Sequence, residues 1–271
     1  TLFRSVGVKN NQAWITWIGE GTQPKLNSQT KVFANPNVTW EIDDSSAWKI
    51  KVISAISEIQ KGRLDKVVLA RKLFGKAAKK IDVRAVLKNL ANEYPATYVY
   101  ANNGLVGATP ELLIRLNKSM AVSRVLAGTI GKTGDDEKDL ALAGSLARSS
   151  KDLEEHEYAV RSVADALAPF CSSTNVPESP FVLHLANVMH LATDVSAVIK
   201  ESHNQIDLFS IVEKLHPSAA VCGTPTEIAA QVIAEIEDLN RGRYAGPIGW
   251  IDAAGDCELG IALRCGQIIE D

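Results

Sequence analysis

Asn102-Asn103-Gly104 and Ala253-Ala254-Gly255-Asp256 each join two short apolar runs, and these brief links constrain the fold more than any other feature of the sequence. A connection that short can close an antiparallel hairpin, whereas a parallel crossover takes a dozen residues or more. Further runs of Val, Ile, Leu and Thr alternate with longer stretches of helical period. Strands are predicted at Ala13–Ile18, Lys66–Leu73, Tyr98–Ala101, Leu112–Leu116, Met120–Ala127, Phe181–Leu185, Pro247–Ile251 and Glu258–Cys265. Helices are predicted at Ser46–Gln60, Val83–Asn92, Glu137–Ser149, Asp152–Pro169, Asp207–Leu215 and Thr226–Glu237. An α+β class follows. No Pro- or Gly-rich linker interrupts the 271 residues, so residues 1–271 read as a single domain.

The densest local signal is SSKDLEEHEYAV, residues 149–160, where carboxylates crowd around His156 before the chain turns apolar. On a helix starting at Asp152, the side chains Leu153, Val160, Val163, Ala164 and Leu167 recur at three- and four-residue spacings and form a core stripe. Glu154, Glu157 and Arg161 flank that stripe as solvated charges, and His156 sits near it, where a structural hydrogen bond is the default. Asp152 and Glu155 fall on another face, in line with the small side chains Ala159, Ser162 and Ala166. Carboxylates in a first turn complement the helix dipole. Two hard oxygen donors one turn apart facing a cleft also suit Mg²⁺, and the spacing alone leaves both readings open.

Other residues carry chemistry in the same conditional way. Lys66 opens the strand LDKVVLAR among apolar neighbours, where it either snorkels to water or loses its charge by desolvation and becomes a general base. Glu111, after Pro110 and ahead of an apolar strand, is either a surface carboxylate or a buried acid with a raised pKa. Gly131-Lys132-Thr133 resembles a phosphate loop, and a nucleotide-binding protein is the rival reading it offers, but the glycine such a loop needs five positions earlier is replaced by Leu126, which counts against that reading. Gly128 and Thr129 could still bring backbone N–H groups to an anion. The glycines of RGRYAGPIGW, Gly246 and Gly249 among them, read as a backbone wall near a ligand or as a bulged strand. Arg264, inside LGIALRCG, calls for a carboxylate partner from the protein or a substrate. His190, before a strand-like run, reads first as a core histidine.

Bulk properties exclude several classes. A net charge of −3 with Lys and Arg dispersed gives no electrostatic case for nucleic acid or an anionic membrane. The four cysteines lack metal or redox spacing and fit a reducing cytoplasm, and no apolar run reaches the ~20 residues that span a bilayer.

Taken together and in order, KVVLAR, GATPELL, LAGT, SSKDLEEHEYAV, MHLAT, HPSAAVCGTP, RYAGPIGW and ELGIALRCG resemble the chorismate-utilising enzymes. That group holds isochorismate synthases, salicylate synthases, aminodeoxychorismate synthase and the large subunit of anthranilate synthase. The match runs from about Trp40 to the end of the chain. It implies two packed antiparallel β-sheets with helices outside and a Mg²⁺-dependent reaction on chorismate. Glu155 would be a direct metal ligand, and Asp152 would hold metal-bound water. Lys66 would activate water for attack at C2, and Glu111 would protonate the departing C4 hydroxyl. Gly128, Thr129, His190, Ala192, Gly246, Gly249 and Arg264 would line the substrate site, with Arg264 on a carboxylate. Lysine at 66 and alanine at 127 imply water rather than ammonia or a lysine as the nucleophile, hence no glutamine amidotransferase partner. Ala192 in MHLAT looks more like isochorismate than salicylate synthases. The resemblance leaves open whether the product serves menaquinone or siderophore synthesis. Family members carry a longer N-terminal region and a further C-terminal strand and helix with glutamate ligands, so the expected metal site is half present in these residues.

Overall fold

A computed structural model describes residues 3–9 and 12–18 as backbone, and residues 34–41, 45–200 and 208–269 in full. Contacts divide the chain into residues 1–33 and 34–271. In the first unit β1 (Phe3–Lys9) and β2 (Gln12–Ile18) pair antiparallel, with Phe3 opposite Ile18. All the remaining elements lie in the second unit.

There β3 (Val38–Trp40) leads to α1 (Ser45–Gln60), then β4 (Lys66–Val67) and β5 (Gly75–Ala77), which pairs with β3. Next comes α2 (Val83–Glu93), opened by the Asp82 side chain accepting from the Arg84 N–H, which satisfies an otherwise orphaned donor. The hairpin of β6 (Tyr98–Asn102) and β7 (Leu105–Thr109) turns at Asn103 and Gly104, φ +43° and +80°, the paired left-handed conformation that an Asn-Gly link favours. β8 (Leu112–Asn117) and the long β9 (Met120–Gly131) follow. Then come α3 (Asp136–Leu146), capped by Asp135, and α4 (Ser150–Leu167), capped by the Ser149 hydroxyl. The chain continues through β10 (Cys171–Asn175), β11 (Phe181–His184), β12 (Val188–Ile199), α5 (Leu208–Leu215), β13 (Gly223–Thr224) and α6 (Thr226–Ile236). It ends with the hairpin of β14 (Pro247–Ile251) and β15 (Cys257–Ile261), then β16 (Cys265–Gln267).

All pairings among the described residues are antiparallel, as the short links require of the hairpins. A seven-stranded sheet runs β10-β12-β9-β8-β15-β14 with β11 also on β12, and a three-stranded sheet runs β16-β7-β6. One face of the large sheet carries α4 and α5: Ala159, Val160, Val163 and Leu167 meet Leu113, Ile114, Val125, Val195 and Ile261, with Ile211 and Leu215 from α5. Removing each large aliphatic chain from water contributes about 2 kcal/mol, so this interface fixes the angle at which α4 crosses the sheet.

Several expectations need correction. The predicted strand Lys66–Leu73 pairs only over Lys66–Val67, because side chains take over its backbone bonding beyond that point. The predicted strand Glu258–Cys265 is two, β15 and β16, and Arg264 stands in the break at φ +48°, not inside a strand. Ala159, placed with the carboxylate face by periodicity, is fully buried in the core. His190 lies within β12, not ahead of it. β7 and β12 were not legible as strands of this length. Asp207, the predicted start of a helix, lies outside the described residues.

Candidate active site

A bulge organises the site. β9 and β12 keep register until His190 pairs with Thr129 and Leu191 with Ala127, which leaves Gly128 as the unpaired extra residue at φ +76°. A Cβ at Gly128 would lie 3.1 Å from the Asp152 Cβ and 3.3 Å from a Leu191 methyl, so only glycine lets the strand approach the first turn of α4 without strain. The bulge thereby brings Thr129 and His190 beside the acidic helix.

His190 is buried and bonded on both ring nitrogens. An Arg264 N–H reaches Nε2 at 2.7 Å, while Nδ1 faces the Thr129 hydroxyl at 2.9 Å and the Gly128 carbonyl at 3.3 Å. A guanidinium can only donate, so Nε2 accepts and the ring proton sits on Nδ1. Burial, reinforced by the Arg264 charge, holds the imidazole down at about 4. His190 is therefore neutral at pH 7 and fixes Arg264, and the Thr129 oxygen, accepting from Nδ1, keeps its own proton to offer. Thr129, His190 and Arg264 stand together in the wall of a 650 Å³ cavity. Thr129 and Arg264 also face a 400 Å³ chamber beside Val68, Ala70, Ala220 and Tyr244.

Two buried ionisable groups line neither cavity but stand close to wall residues: Lys66, two residues before Val68, and Glu111, within the field of Arg264. Lys66 is 9% exposed, its Nζ donating to the Ala219 carbonyl at 2.8 Å and standing 3.8 Å from a Glu155 oxygen. Desolvation lowers its pKa, against the opposing pull of the Glu155 and Glu111 charges. The alternative of snorkelling is excluded by that burial. Glu111 is 6% exposed, and burial pushes its carboxyl up to about 7, with Arg264 and Lys66 acting in the opposite direction. A base and an acid shifted towards neutrality from opposite sides, each within reach of the other's field, is an arrangement for proton transfer at pH 7.

Asp152 and Glu155 project from α4 next to this pair, both partly exposed and both facing Lys151, at 3.5 and 3.8 Å. Glu154 and Glu157 are exposed, as expected. Among the described residues no group of three or more His, Cys, Asp or Glu is arranged to hold a metal. Two hard oxygens with solvent access nevertheless fit an ion such as Mg²⁺, which keeps several waters and takes few protein ligands.

Ala192 is fully buried, pairing with Leu126 and Phe181. Gly249 lies on β14, where a Cβ would come 1.9 Å from the Glu258 carbonyl oxygen, so its hairpin partner accounts for this glycine. Gly246 follows Ala245, a wall residue of the smaller chamber. Thr133, in the phosphate-loop-like stretch, spends both its N–H and hydroxyl on Asp139, at 2.7 and 2.8 Å. A phosphate there would meet a carboxylate. His156 donates to or accepts from the Thr193 hydroxyl at 2.8 Å and serves packing. Sequence reasoning passed over Ala219, Glu237 and Arg241. The i,i+4 spacing of the last two was the available signal.

Residues 8–271 match the family described as chorismate binding enzyme. Isochorismate synthase MenF of Bacillus subtilis is 36% identical over 229 residues, 83% of this chain and 48% of the relative. The structure of a Bacillus anthracis protein described as a 2,3-dihydroxybenzoate-specific isochorismate synthase, DhbC, superposes with a TM-score of 0.79 at 34% identity, covering 87% of this chain and 66% of that one. Anthranilate synthase component I from Streptococcus pneumoniae shares the fold, with a TM-score of 0.71 at 24% identity over 86% of this chain and 51% of that one. The chain thus spans about half the length of the MenF relative. No helix among the described residues is long and apolar enough to cross a membrane.

Proposed function

The chain belongs to the family of chorismate binding enzymes, and we propose that it converts chorismate to isochorismate. The carrying observation is the buried pair Lys66 and Glu111, with ionisations displaced in opposite directions beside the wall that presents Arg264. Lys66, its charged form disfavoured by burial, takes a proton from water as the water oxygen bonds to C2. Both ring double bonds shift, from C1=C2 to C1=C6 and from C5=C6 to C4=C5, the C4–oxygen bond breaks, and Glu111 protonates the departing hydroxyl, which leaves as water. One water enters and one leaves, and the proton gained by Lys66 and lost by Glu111 is restored before the next turnover. Arg264, held by neutral His190, takes a substrate carboxylate, and the Thr129 hydroxyl is free to donate beside it. Asp152 and Glu155 would hold Mg²⁺, which when bound supplies positive charge for the dianionic substrate. Orientation by these contacts brings C2 and C4 to the base and acid.

Chromatography of the products from chorismate and magnesium chloride tests the reading. Isochorismate as the accumulating product is expected. Salicylate with pyruvate would assign the chain to the neighbouring activity instead, and an unchanged chorismate peak would overturn the proposal.

A further inference from the structure

Beyond Val67 the backbone around the lysine stops pairing as a ladder, and an ion pair between a buried carboxylate and a partly buried guanidinium replaces it. β4 and β13 pair Lys66 with Thr224 and Val67 with Gly223, and the Val68 N–H still reaches the Cys222 carbonyl at 2.8 Å. From there Arg241 takes over. One guanidinium nitrogen donates to the Val221 carbonyl at 2.9 Å and the other to the Val68 carbonyl at 2.8 Å. Val68 lies two residues after Lys66, and Val221 two residues after Ala219, whose carbonyl accepts from the lysine. A single planar fork therefore ties the strand that carries the amine to the loop that receives its hydrogen bond. Glu237, 2% exposed at the end of α6, fixes the fork from behind: Arg241 Nε donates to one carboxylate oxygen at 2.9 Å and a terminal nitrogen to the other. The Ala70 N–H donates to that second oxygen at 2.5 Å. The Glu237 and Arg241 side chains thus grip the segment around Lys66 at Val68 and Ala70, and the loop beside it at Val221.

Building on the role proposed for Lys66, we propose that Glu237 and Arg241 are positioning residues, a clamp that sets the Lys66 amine against the Ala219 carbonyl and so against the reacting water. A lysine at 241 keeps the charge opposite Glu237 but lacks the fork that reaches both carbonyls. A misplacement of about 1 Å at a catalytic group can cost 10²-fold in rate. Arg241 lines the smaller chamber with Thr129 and Arg264, but it donates to the Val68 and Val221 carbonyls and the Glu237 carboxylate, so its loss reaches kcat while KM stays near its original value.

The test compares Arg241→Lys, Arg241→Ala, Glu237→Gln and Lys66→Gln in the intact protein with chorismate and magnesium, with thermal melts as a check on folding. Arg241→Lys is expected to lose at least tenfold in kcat with KM changed less than threefold, and Glu237→Gln to lose several-fold in the same pattern. Added guanidinium ion is expected to restore part of the kcat of Arg241→Ala, a recovery that a merely structural loss would not show. Should the arginine variants fail to fold, the near-isosteric Glu237→Gln decides alone. Full kcat in Glu237→Gln and in any folded Arg241→Lys, beside an inactive Lys66→Gln, overturns the clamp and leaves the lysine's role standing. An active Lys66→Gln overturns both.

Discussion

At the scale of single residues, the proposed reaction rests on burial, which lowers the pKa of the Lys66 amine and raises that of the Glu111 carboxyl to about 7. Glu111 must hold its proton to act as an acid, and with its carboxyl raised to about 7 the protonated form falls away above that pH. A pH profile of kcat/KM should therefore show an alkaline limb near pH 7. Glu111→Gln keeps the shape of the side chain but cannot give up a proton in the same way, and a loss of about 10²-fold or more in kcat is expected. A profile flat to pH 9, or a Gln variant with full activity, would remove the acid. The sequence displayed Lys66 and Glu111 as candidates because each stood at the edge of an apolar run. It could not choose between snorkelling and burial, since that depends on Ala219 and on elements more than a hundred residues away. Arg264 was legible as a charge needing a partner; it donates to a neutral histidine, with the buried Glu111 carboxyl within its field, and only the partners of the imidazole ring disclose the first of these.

Among the elements, the bulge in β9 is the hinge of the arrangement. Gly128→Ala puts a methyl at φ +76° and within 3.1 Å of Asp152, and a destabilisation of about 1–2 kcal/mol is expected from denaturant titration, with catalysis impaired beyond it because α4 is pushed from the strand. An alanine variant as stable and active as the parent would show that the close approach of α4 and β9 is not needed. Hairpin links made the antiparallel order readable in advance, and α1, α2, α4, α5 and α6 lie close to where helical period placed them. β12 escaped because MHLATDVSAVI alternates weakly: His190, Leu191, Ala192 and Thr193 are all buried, so both faces are covered and the period-two signal disappears. The Lys66 strand was predicted too long for a related reason. Its propensity continues to Leu73, but Arg241 and the Glu237 carboxylate take the backbone groups a partner strand would have used.

For the whole molecule, the same buried groups shape stability against pH. His156 and His190, both held near 4 from an ordinary 6.5, are bound to fewer protons when folded than when unfolded. Their contribution is present above pH 6.5 and is lost as the pH falls towards 4. Glu111 acts in reverse, since its folded value of about 7 exceeds the ordinary 4.5, and it favours the folded state below pH 4.5 and ceases to as the pH rises through 7. Between pH 6.5 and 4.5 two histidines oppose one carboxyl, so the unfolded chain takes up about one more proton. Melting temperature should fall across that interval and fall more steeply in Glu111→Gln. A melting temperature that rises on acidification would contradict the burial of the histidines.

The chemical claim under all of this is that water, not a group of the substrate itself, becomes the new hydroxyl. Turnover of chorismate in ¹⁸O-water, followed by mass spectrometry of the isochorismate formed, tests it most directly. Attack by a water that Lys66 activates requires one heavy oxygen at C2 and the loss of the original C4 oxygen to solvent. Isochorismate without label, its C2 oxygen carried over from C4, would contradict the mechanism.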